Sequence, residues 1–200
     1  LGDDGAATLK WSSSGSGIND DSSSLWNVTA AKNNSSSFQV LLQGEGSRNG
    51  LNFVITTDEN GIYKTSDTAW MTGAEAASAG YENTFIKDFN NDGLISGDTY
   101  YQLLGDDGAA TLKWSSSGSG INDDSSSLWN VTAAKNNSSS FQVLLQGEGS
   151  RNGLNFVITT DENGIYKTSD TAWMTGAEAA SAGYESVFNM DFNENGILGG

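Results

Sequence analysis

The stretch KDFNNDGLISGD, residues 87 to 98, sets oxygen-bearing side chains on alternate positions: Asp88, Asn90 and Asp92. Gly93 follows, which permits a sharp bend, and then Leu94 and Ile95. Hard oxygen donors at this spacing suit calcium, which takes 6 to 8 such ligands. Asp88, Asn90 and Asp92 would offer side chains, Leu94 its backbone carbonyl, and Ile95 would anchor the loop to a core. The competing reading is a polar turn in which Asp88 and Asn90 accept hydrogen bonds from nearby amides.

The loop matches the first half of an EF-hand or dockerin-type loop and departs in the second half. Its twelfth position is Thr99 rather than Glu, and the nearest acid is Asp98, one place early, so a closing ligand would come from Asp98, from another loop, or not at all. MDFNENGILGG, 190 to 200, poses the question again with Asp191, Asn193, Asn195 and the Ile197 carbonyl. Here Asn195 replaces Asp92, and Glu194 adds a nearby acid. Any calcium affinity is expected in the weak extracellular range, roughly 10⁻⁴ to 10⁻³ M.

These loops close two copies of one unit. Residues 1 to 82 recur unchanged at 104 to 185, a period of 103 residues. That is too long for a solenoid turn, which runs roughly 20 to 50 residues, and it suits a bead-like domain. The expected division is 1–98 and 99–200. TYYQLLGDDGAATLKW, 99 to 114, reads as strand, turn and strand, whereas the first copy begins at Leu1, without a counterpart of Tyr100 to Leu103. Either the first bead is cut short or that strand is shared between beads, and an open sheet edge accepts a strand from another chain.

Within one bead, SLWNVTAA, SFQVLLQG and LNFVITT alternate with period 2 and read as strands. NNSSS, GEGSRNG and DENG read as turns. Thr72 and Glu75 form a T-x-x-E capping box, and Gly80 a stop, so one short helix precedes the acidic loop. The expected fold is mainly β, of antiparallel strands and hairpins, with one short helix per repeat and two tandem near-identical small domains.

Composition narrows the function. With no Cys, His or Pro, there is no disulfide scaffold, no thiolate or imidazole metal site, and no histidine base. A net charge of −16 argues against nucleic acid and anionic membranes, which need a basic face, and favours cations. No apolar run approaches a membrane span. The chain starts with neither Met nor a signal peptide and reads as an interior piece of a longer protein. Trp26 and Trp70 read as core; Trp11, beside a serine-rich loop, is the surface candidate for stacking on a sugar ring.

WNVTAA, FQVLLQGEGSRNG, TDENG, AWMTGAEAASAGYE and the closing F..DFNNDGLI.G resemble the tryptophan-rich C-terminal domain family first described from Synechocystis. That resemblance covers nearly all of each repeat. It implies a secreted or cell-surface setting and carries no settled biochemical activity. The expectation is a non-enzymatic structural or adhesive module of a long extracellular bacterial protein, stiffened by calcium. Its expected partners are neighbouring repeats and other copies of the chain. The alternatives are a carbohydrate-binding module for surface glycans and a filament subunit joined by strand exchange.

Overall fold

The structure, a computed structural model, describes residues 7–96 and 99–199. It is mainly antiparallel β with a few short helices. Two compact units divide between Phe85 and Ile86, whereas the sequence period suggests 98 and 99. The closing motif of the first repeat, residues 86 to 96, therefore belongs to the second unit.

In the first unit, β1 (Trp26–Asn33), β2 (Ser37–Gly44), β3 (Asn52–Asp58) and β4 (Tyr63–Ser66) form an antiparallel meander in chain order. The turns explain the register. Between β1 and β2, the amide of Ser35 donates to Asn33 Oδ1 at 2.8 Å, and that of Asn34 to the Ser37 carbonyl at 2.9 Å. Between β3 and β4, Asp58 Oδ1 accepts from the amides of Asn60 and Ile62, each at 2.9 Å. DENG is thus a turn built by its own aspartate. The segment before β1 touches this turn through Lys10, whose amide donates to the Gly61 carbonyl and whose carbonyl accepts from the Tyr63 amide.

The capping box forms as its sequence requires. Thr72 Oγ1 accepts from the Glu75 amide, and the Glu75 carboxylate accepts from the Thr72 amide at 2.8 Å. Helix α1 (Gly73–Ser78) follows and ends before Gly80, which lies at φ +78°. A second helix, α2 (Tyr81–Phe85), then forms at a stretch that carries no local start signal. Five residues are too few to hold a helix alone. Packing supports it: Tyr81 and Phe85 lie with ring centroids 6.2 Å apart, and Glu82 between them is fully buried.

The second unit adds a small sheet, β5 (Leu94–Ile95), β6 (Gln102–Gly105) and β7 (Gly108–Thr111), in that order. The meander follows as β8 (Trp129–Asn136), β9 (Ser140–Gly147), β10 (Leu154–Asp161) and β11 (Tyr166–Ser169), with β12 (Met174–Thr175) on β10. Helices α3 (Gly176–Ser181) and α4 (Tyr184–Phe188) complete it. β8 bulges between Val131 and Ala133, as β1 does between Val28 and Ala30.

The meander of the second unit is covered on both faces, so β9 is buried on both. On one face, Ala133, Leu144, Val157 and Phe188 pack with Tyr184 and Phe192. On the other, Leu94, Leu103, Leu112 and Ile121 join Val131, Phe141, Val143 and Ile158. In the first unit the corresponding face consists of Phe38, Val40, Leu42 and Ile55 with half-buried Leu9 and Val28. Ala134 is buried, whereas the same residue at Ala31 is exposed. The same residue thus has two burial states, and in the second unit β5 and β6 bring Leu94 and Leu103 into the core on that face.

Two thermal transitions are expected despite the shared sequence. Leu112→Ala should destabilise the second unit by about 2–5 kcal/mol, the range for a fully buried leucine. Leu9→Ala, the same substitution at a half-buried position, should shift the other transition less. Differential scanning calorimetry of both variants checks this ordering.

Candidate functional site

The closing motif lies against the edge of β8. The Ala134 amide donates to the Asp92 carbonyl at 2.6 Å, and the Leu104 amide to the Gly93 carbonyl at 2.9 Å. Leu94 pairs with Leu103 and Ile95 with Gln102. These contacts bury the two side chains to 7% and 2% exposure. Gly93 is required by the approach: it sits at φ +80°, and a Cβ there would lie 1.8 Å from the Ala134 carbonyl oxygen.

The loop's side chains make its frame. Asp88 Oδ1 accepts from the Asn91 amide at 2.6 Å, and Oδ2 from the Gly93 amide at 2.8 Å. Asn90 Oδ1 accepts from the Asp92 amide at 3.1 Å, and its side-chain nitrogen donates to Asp92 Oδ2 at 2.8 Å. Asp92 Oδ1 accepts from the Leu94 amide at 2.8 Å. Asp88, Asn90 and Asp92 thus each hold the loop's own backbone. Asn91, at φ +62°, takes the left-handed position that asparagine tolerates.

The second closing motif has the same frame. Asp191 Oδ2 accepts from Gly196 at 2.7 Å, Asn193 Oδ1 from Asn195 at 3.1 Å, and Asn195 Oδ1 from Ile197 at 2.7 Å. Asparagine can replace Asp92 at position 195 because an amide oxygen accepts this bond as a carboxylate does. Its surroundings differ. Gly196 has no atom within 4 Å of a built Cβ, and Ile197 and Leu198 are 63% and 51% exposed.

The structure therefore gathers Asp88, Asn90, Asp92 and Leu94 in one loop, and Asp191, Asn193, Asn195 and Ile197 in another. Asp98 lies outside the described residues. Among the described residues, no group of three or more His, Cys, Asp or Glu side chains could hold a metal ion. The first loop borders a cleft of about 380 Å³ that Asp106, Lys135, Asn136 and Asn189 also line. Asn136 donates to Asp106 Oδ1 at 2.7 Å, fastening the β6–β7 turn to the end of β8.

Two anchors escaped the sequence reading. Glu185 is fully buried, and its carboxylate accepts from the amides of Phe192 at 3.1 Å, Asn193 at 3.4 Å and Gly199 at 3.1 Å. It holds the second closing motif against α4. Its only sequence signal is its place as the last residue of the shared stretch. Tyr101 donates its hydroxyl to Asp123 and accepts from the Val131 amide at 3.2 Å. Burial, reinforced by Asp123, pushes its phenol well above the usual range.

The tryptophans pack mainly against one another and other rings. Trp70 stacks on Phe53 at 5.1 Å with the Arg48 guanidinium 4.8 Å from its ring centroid, and Trp26 meets Trp11 edge-on at 6.3 Å. Trp11 is the exposed one, at 37%. The chain matches no protein-family model, no curated protein and no solved structure.

Gly93→Ala should strongly lower the melting temperature of the second unit, because the clash is with backbone. Gly196→Ala meets open space and should cost only the left-handed strain, about 1–2 kcal/mol. Calorimetry of the pair measures the difference. Glu185→Gln keeps one acceptor oxygen and should speed hydrogen exchange at the Phe192 or Gly199 amide, measured by NMR.

Proposed function

We propose that the chain is a non-catalytic structural module of a secreted or cell-surface repeat array, in which the closing motif of one repeat completes the core of the next. The burial of Leu94 and Ile95 among residues of the following repeat carries this reading. A domain that ended where its sequence repeat ends would keep such side chains in its own core. Interlocking makes neighbouring repeats interdependent, the property a spacer, adhesin stalk or fibre needs. The extracellular setting rests on the family resemblance.

Leu94→Asp with Ile95→Asp tests the role. The double variant should lower the melting temperature of the second unit and enlarge the radius of gyration in small-angle scattering, as residues 86 to 103 come loose. Unchanged dimensions and melting would refute the interlock.

Calcium at the closing motif is the second reading. Its support is the shared frame of both loops, in which Asp88, Asn90 and Asp92, and likewise Asp191, Asn193 and Asn195, are held in one turn. The ion would add stiffness by tying these oxygens together, with no chemistry beyond charge. Calorimetric titration should give heat in millimolar calcium and a raised melting temperature, both lost in Asp88→Ala with Asp92→Ala. The glycan reading rests on exposed Trp11 alone.

A further inference from the structure

We propose that the same joint also operates between molecules: the C-terminal closing motif of one copy of this chain docks, head to tail, in an apolar groove at the β1 edge of the first unit of a second copy. This rests on the interlock proposed above.

The two halves of the contact are present, and each lacks its partner among the described residues. The receiving half is a groove of about 210 Å³ on the first unit, lined by Leu9, Val28, Ala31, Phe38, Val40 and Thr57. Its counterparts in the second unit are Leu112, Val131, Ala134, Phe141, Val143 and Thr160, with the same sequence. Leu94 and Leu103 belong to the cluster that fills that counterpart face. The entering half is Gly196, Ile197 and Leu198, the counterparts of Gly93, Leu94 and Ile95. The first three have nothing against Gly196 and two exposed apolar side chains; the second three are clamped and buried.

The register follows from the occupied joint. Ile197 takes the place of Leu94, and the Asn195 carbonyl the place of the Asp92 carbonyl, which accepts from Ala134. On the receiving side that donor position is Ala31, on the edge strand β1. Gly196 allows the close approach that Gly93 makes. The Glu185 bonds already hold the entering loop folded, so docking orders little new chain and the entropic cost is low. The motif brings counterparts of Leu94 and Ile95 but not of Leu103, so the contact is small and its affinity weak. It is also heterologous: a docked copy still carries its own groove, so a further copy can add to it.

Sedimentation equilibrium of the whole chain tests this. For the wild type, the weight-average mass should rise with concentration and pass that of a dimer. Ile197→Asp in the tail, or Ala31→Arg in the groove, should each abolish the rise; both positions are exposed, and an unchanged melting temperature shows that the variants fold. An equimolar mixture of the two variants retains one intact tail and one intact groove, and should form dimers and stop there. A wild type that stays monomeric, or association that neither substitution affects, would overturn the proposal.

A peptide of residues 87–104, which carries Leu94, Ile95 and Leu103, probes the other occupant. Its binding to a wild type that stays monomeric would assign the groove to the closing segment of a preceding repeat and overturn docking of a second copy. If Leu94→Asp with Ile95→Asp still destabilises the second unit while the wild type is monomeric, the interlock within the chain stands and only its intermolecular form falls.

Discussion

The contact on which the second unit depends is a backbone one: the Asp92 carbonyl against the Ala134 amide, with Gly93 beside it. A strand edge carries unpaired donors and acceptors, and burying them without partners is costly. The closing loop supplies an acceptor to that edge and, in the same turn, places Leu94 and Ile95 over the sheet. Only glycine allows the two backbones so close. The rest of that face, from Leu103 to Ile121, is arranged around this fixed approach.

The loop brings this contact in a turn that its own side chains brace. Asp88, Asn90 and Asp92 satisfy amides of their own turn. The same side chains that suggest a cation site also keep the turn folded, which explains why asparagine can stand at 195. Charge has a second consequence. With −16 on 200 residues, chains repel at low ionic strength, so contacts between them must come from apolar and backbone groups of the kind the closing motif carries.

The same sequence in two settings separates local from tertiary effects. β1 and β8 share every residue from Trp26 to Asn33, with the same bulge and the same antiparallel partner. Their burial differs, because a strand's propensity sets its conformation while its neighbours set its exposure. Leu9 and Leu112 make the point in a single side chain: half-buried in one copy, fully buried in the other.

The sequence by itself determined three strands of each meander and the turns between them, since period-2 alternation and turn composition are local; β4 and the strand order came from the tertiary pairing. It determined α1, since Thr72 and Glu75 cap within one turn, and it located the two closing loops. It missed α2, a helix too short to be signalled locally and held by packing. It missed Glu185, whose importance comes from amides of residues 192 to 199 folding back onto it. Tertiary structure alone decided that the closing loop of the first repeat belongs to the second unit. The period of a repeated sequence need not mark a structural boundary; the boundary of a compact unit records where apolar side chains find cover.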